Sequence, residues 1–197
     1  MFSFHTTNFR TLAPRDPAVL ATAADPQPHV PAASFDELDP ALWLGDDARR
    51  WGSRREDVVH DNTMHAGLAL IAVIAFEDVF SGTPRPVAEA AVQAYRDAAR
   101  LEDEEFSAVV RELFCGALHL MDARGVDLDA RPVTGLQLRL GTMLFELEAH
   151  CRGPWAARLA NECTGFEDLL LAACDDYLGQ VTHTPLTRVC PSVPVSR

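Results

Sequence analysis

The stretch that most constrains this chain is AGLALIAVIAF, residues 66–76, in which every residue is apolar or glycine. It lies inside a longer helical segment, Arg54 to Phe80, which stops at SGTPRP, where Gly82, Pro84 and Pro86 break the helix. A helix that is apolar all round has no side to give to water, so other elements must cover it on every side. The uninterrupted run is too short to span a bilayer, which takes about 20 apolar residues. The chain must therefore supply covering helices of its own. Its 197 residues suffice for one domain with a substantial core.

The covering helices are legible as two-faced segments. Val87 to Arg100 forms a third helix, after a short one over FDELDPALWL that Ser34 caps with Glu37 three residues later. Glu102 to Arg124 forms a fourth, continuous with the third or close to it, and Gly125 is its stop. Turning about 100° per residue, Val109, Val110, Leu113, Ala117, Leu120 and Met121 fall on one broad face of it. Thr134 to Cys151 is the fifth, with Leu140, Leu144 and Leu147 on one face, ended by Gly153-Pro154. Trp155 to Glu162 and Phe166 to Leu178 complete the body, the last with Leu170, Leu171, Cys174 and Leu178 together. There is no period-2 run and no Asn-Gly or Asp-Gly turn, so strands are not expected. The reading is an all-α fold, a single helical bundle around a buried central helix. Residues 1–34, rich in Pro and Ala, read as an arm; 35–180 as the helical domain; 181–197, with Pro185, Pro191 and Pro194, as an extended tail.

Charge and cysteine usage bound the setting. The formal charge is −12, which disfavours binding to phosphate backbones of nucleic acid. All 17 basic residues are Arg and Ile occurs only at 71 and 74, a codon bias that suggests a GC-rich, bacterial genome. Five cysteines, an odd number with no CxxC pair, argue against a disulfide framework or a structural zinc site. The N-terminus lacks the charged-then-apolar pattern of a signal peptide. A soluble cytoplasmic protein is the expectation, with no membrane and no nucleic-acid partner.

Polar residues that could carry chemistry gather in four places. In the fourth helix Glu105, Glu112, Cys115, His119 and Asp122 follow steps of three, four or seven and line one edge, where neighbouring carboxylates or a carboxylate and a His can share a divalent ion. Ala108 and Arg111 share that side, which lies opposite the apolar face, so an ordinary solvent face has the same look. Cys115 and His119 are also close enough in sequence to form a nucleophile and base. The ends of the central helix carry His60, Asp61, Asn62 and His65 on one side and Glu77 and Asp78 on the other; capping residues around a satisfied His are the plainer reading. The His60-Asp61 dipeptide is similar to that of HD-type metal phosphohydrolases. Glu146 and His150 in the fifth helix are spaced four apart, with Arg139 on the same edge. Glu162, Glu167, Asp168, Asp175 and Asp176 read as the outer side of the last helices. There is no GxSxG, phosphate loop or dinucleotide fingerprint.

The segment EEFSAVVRELFCGALHLMDARGVDLDARP resembles the second metal helix of the all-α MazG-type nucleotide pyrophosphohydrolases. Glu112-Leu113 and Gly125-Val126-Asp127-Leu128 fall into the family's pattern, and the central helix ending Ala75-Phe76-Glu77-Asp78 stands where the family has its first acidic helix. Cys115 occupies the place of the family's Asp, and the first motif lacks a carboxylate. The resemblance, over about 60 residues, implies a divergent MazG-like protein that hydrolyses or binds a small phosphorylated metabolite or nucleotide, and a possible homodimer. It implies metal ligands Glu77, Asp78, Glu112 and Asp122 for magnesium or manganese, with Glu112 and His119 as catalytic residues. Two other readings stand beside it. One is a non-catalytic helical protein that binds a small molecule or a partner. The other is a di-iron oxygenase with iron on Glu77, Glu112, His119, Glu146 and His150.

Overall fold

The structure, a computed structural model, describes residues 55–80, 87–126, 128 and 135–182; within these, the side chains of residues 55, 56, 78–80, 87 and 182 are left aside. The capped segment FDELDPALWL, the arm over 1–34 and the tail beyond residue 182 lie outside the described residues. Six helices follow one another: α1 (Arg55–Phe80), α2 (Val87–Ala99), α3 (Phe106–Ala123), α4 (Gly135–Arg152), α5 (Ala156–Asn161) and α6 (Phe166–Thr182). No strand occurs among the described residues, so the described chain is all-α.

α1 is the hub. It packs chiefly on α2 and α3 and also touches α4 and α6. Residues 62–70 are buried without a break. Burial on every side, however, stops there: Ile71 and Ala75 are only partly covered and Ile74 is 45% exposed. The covering helices leave a seam over the second half of α1, and an apolar residue on a seam is not rare in itself. By length and composition, residues 57–77 as a whole would be able to cross a membrane, but 61% of the most apolar window is already buried, which accounts for its composition by packing.

α3 packs against α1, and Gly116 lets them come close. A Cβ at Gly116 would stand 3.0 Å from the His65 carbonyl oxygen and 3.3 Å from Ala69 Cβ. The face expected of α3 is the core face: Val109, Val110, Leu113, Ala117 and Leu120 are fully buried, with Met121 at its margin. Leu140, Leu144 and Leu147 are buried in α4 as expected. In α6 the buried side is Phe166, Leu169, Leu170, Ala173 and Cys174, whereas Leu171 points outward at 45% exposure. α6 also continues to Thr182, past the expected start of the tail, because Val181 is buried at 3% exposure and anchors the last turn.

The third and fourth expected helices are separate. α2 ends where Arg100 takes a left-handed φ of 57°, and Leu101 N–H returns to the Arg96 carbonyl while Arg100 N–H returns to Asp97. The same six-residue turn ends α3 at Gly125 and α5 at Cys163. α3 then starts at Phe106, whose ring meets Trp155 edge-on and lies under the Arg158 guanidinium at 3.9 Å.

Candidate functional site

The polar edge of α3 is not a solvent face. Glu105 and Asp122 at its ends are exposed and Glu112 is half-covered, but Cys115 is 2% and His119 0% exposed. The cause is α6, which lies along α3 and brings Tyr177 and Gln180 over this edge. α3 is thus buried on two sides, against α1 and α6.

His119 is the centre of the arrangement. Its Nε2 lies 2.6 Å from Gln180 Oε1, and Cys115 Sγ donates to the same oxygen at 3.5 Å. An amide oxygen only accepts, so His119 Nε2 carries the proton in this contact. From α1, Asn62 Nδ2 donates to the Gln180 backbone carbonyl at 3.3 Å. Three donors from two helices therefore meet the two oxygens of one residue. The His119 ring is stacked on His65 (centroids 5.4 Å apart, planes 18° apart) and meets the Tyr177 ring edge-on at 4.9 Å. Tyr177 in turn donates its hydroxyl to Asp122 Oδ2 at 3.1 Å. The Arg111–Asp176 ion pair, 3.1 Å, ties the same two helices together nearby.

Cys115 cannot serve as a thiolate here. Burial, followed by the nearby carboxylates of Asp176 and Glu112, pushes its thiol far above the ordinary range, so it stays protonated and acts as a donor. The cysteine–histidine pair is real as a neighbour relation, but both groups are turned to Gln180 and not to each other.

The other candidates go elsewhere. Glu77 is paired with Arg139 of α4 at 3.0 Å, and the side chain of Asp78 lies outside the described residues. His60 Nδ1 is 3.2 Å from its neighbour Asp61, and the His65 ring stacks on His119. His150 donates from Nδ1 to the Glu146 backbone carbonyl at 2.8 Å, has Nε2 3.8 Å from Glu89, and packs its ring on Trp155. Trp155 Nε1 donates to Glu89 as well, at 3.2 Å. His119 and His150 thus belong to two different clusters, and the five residues of the di-iron reading are not brought together. Among the described residues no group of three or more His, Cys, Asp and Glu is gathered closely enough to hold an ion. In the magnesium set Glu77 and Asp122 are turned to Arg139 and Tyr177, and Cys115, where the resembled family has its Asp, is a neutral thiol that does not fit that ion.

Sequence reasoning named Asn62, at the head of the central helix, but two residues were missed, Gln180 first and Tyr177 last. The signal for the first and last was the apolar stripe of α6: Phe166, Leu170, Ala173, Tyr177 and Gln180 follow steps of three or four, which places Gln180 on the inner side. Comparison of the chain with protein-family models, with curated proteins and with solved structures gives no match.

Proposed function

We propose that the chain is a helical bundle that binds a small phosphorylated metabolite or nucleotide in the seam between α1, α3 and α6, around His119, as a divergent MazG-like protein. The observation that supports this is the convergence of His119 Nε2–H, Cys115 Sγ–H and Asn62 Nδ2–H on the two oxygens of Gln180. Gln180 stands as an internal substitute for a ligand's acceptor oxygens. A phosphoryl group offers more acceptor positions and a charge, so it competes for the same donors once the last turn of α6 gives way. Binding is a better reading than hydrolysis because Glu77 and Asp122 already serve as ties between helices.

The test is a thermal-shift and calorimetric titration with nucleoside mono- and triphosphates, with the unphosphorylated nucleoside as control, each with and without magnesium or manganese. Phosphorylated compounds should raise the melting temperature and the nucleoside should not. His119→Phe should abolish the shift, whereas Gln180→Ala should tighten binding by removing the competitor. No shift with any phosphorylated compound would sink this reading. Metal-dependent release of phosphate or pyrophosphate that Glu112→Gln abolishes would restore the hydrolase with magnesium or manganese as its cofactor.

A further inference from the structure

The seam over the second half of α1 has a defined floor. Ile71 and Ala75 are partly covered and Ile74 is 45% exposed, and at about 100° per residue they share one side of the helix with Gly67. A Cβ added at Gly67 would meet nothing within 4 Å, so the groove continues one turn back from Ile71. α3 and α6 take the opposite side of α1, through His65, Ala69 and Asn62. At the C-terminal end of the seam Arg139 of α4 reaches Glu77 at 3.0 Å, with half of its side chain still in water. Ahead of α1 the segment FDELDPALWL, residues 35–44, holds five large apolar side chains: Phe35, Leu38, Leu42, Trp43 and Leu44. Among them stand three acids, Asp36, Glu37 and Asp39, and no base. The next ten residues, GDDARRWGSR, carry two Gly, two Asp, three Arg and a Ser, a composition that suits a connector, and lead into α1 at Arg55.

We propose that residues 35–44 double back and lie in this groove, over Gly67, Ile71 and Ile74 of their own chain. The reach is sufficient. Ile74 lies about 28 Å along the helix from Arg55 at 1.5 Å per residue, and a ten-residue connector spans up to about 33–36 Å. Entering from that connector, Leu44 and Leu42 come over Gly67 and Ile71, and Leu38 comes towards Ile74. The same direction carries Asp39, Glu37 and Asp36 to the C-terminal end of the seam. There Arg139 has donors left for a second carboxylate after its bond to Glu77. The charges of segment and rim are thus opposite where they meet. Both parties also gain by burial: the seam exposes apolar surface, and five large apolar side chains within ten residues need cover. Tethering holds the segment at an effective concentration on the order of millimolar, so it outcompetes a second copy of the chain or another protein for the same groove.

Hydrogen exchange on the full chain reads the docking without any substitution. The amides of residues 36–44 should exchange at least about tenfold more slowly than those of a free chain; exchange at the free-chain rate overturns the proposal. The groove itself is read by Ile74→Cys, at a position already half in water, in a chain that also carries Cys163→Ser and Cys190→Ser. The natural cysteines left, Cys115, Cys151 and Cys174, are all buried. A maleimide should label the introduced thiol at least about tenfold faster once Leu38→Asp and Leu42→Asp are added, while the three buried thiols stay unlabelled. An unchanged rate overturns the proposal. So does a rate that, without the two Asp changes, falls when the protein concentration is raised roughly a hundredfold, because a second copy would then be the cover.

Discussion

Gln180 joins α6 to α1 and α3 through its two oxygens, and its worth can be measured. Replacing it with Leu leaves the buried His119 N–H without its acceptor, which costs about 1–3 kcal/mol. His119→Leu alone leaves the Gln180 amide oxygen with only the longer Cys115 Sγ contact, 3.5 Å, in the same place. The two changes together should cost less than their sum, with a coupling of about 0.5–3 kcal/mol in urea denaturation; strict additivity would show that the contact contributes nothing. Gly116 tests the other side of His119. A Val there must fit against the His65 carbonyl and Ala69, and should destabilise the fold by about 1–3 kcal/mol. The buried cysteines make a pH prediction. Burial raises Cys174 to about 11 and Cys151 to about 12, and Cys115 further still, against an ordinary value near 9.0. The folded state holds these protons more tightly than the unfolded chain. Their contribution is therefore complete below about pH 9 and is lost as pH rises through 11 to 12, by at most about 1.4 kcal/mol per pH unit for each thiol. Urea midpoints between pH 8 and pH 10.5 should fall, and Cys174→Ala should lessen the slope; an equal slope in that variant would assign the loss to other groups.

At the scale of the helix, the ends decide more than the middles. Three helices close with the same left-handed turn, but only α3 has glycine there. A side chain in that conformation costs about 1 kcal/mol. Arg100→Gly should therefore raise stability by about 0.5–1 kcal/mol, whereas Gly125→Ala should lower it by a similar amount; the opposite ranking in thermal denaturation would refute the argument. The start of α3 is capped from a distance. Glu105 makes no side-chain cap, and the Ser107 N–H is held by Glu162 Oε2 at 2.6 Å instead. The helices themselves were legible because their periodicity is local, as the buried faces of α3 and α4 show. What a period does not carry is which neighbour covers the second side of a helix. Cys115 and His119 looked wet because the apolar face lay opposite, and only the course of α6 put them inside. Arg100 is the same kind of case: a non-glycine left-handed turn leaves no composition signal, so the sequence bounded the two helices at Arg100 and Glu102 but left open whether one runs into the other.

The whole molecule is governed by its charge as well as by its central helix. AGLALIAVIAF announced a covered helix, and the described chain does wrap α1 with α2, α3, α4 and α6. The open seam at Ile71 and Ile74 was not readable, since eleven apolar residues in a row do not say how many neighbours there are. The chain has 29 acidic residues against 17 basic ones, a net charge of −12. Compaction brings these charges together, so self-repulsion opposes the folded state. The ion pairs among the described residues act in the other direction. Arg139–Glu77, Arg152–Glu167 and Arg152–Glu148 are exposed or partly so, and pairs of that kind are worth about 0–1 kcal/mol each before screening. Salt weakens both effects, but repulsion sums over every close pair of like charges, whereas each attraction is a single partner. Repulsion should dominate, and raising sodium chloride from about 20 mM to 500 mM, a drop in Debye length from roughly 20 Å to about 4 Å, should stabilise the fold by about 1 kcal/mol, or 2–4 °C in melting temperature. A melting temperature that falls with salt would instead mean that the Arg-centred ion pairs outweigh the excess of carboxylates.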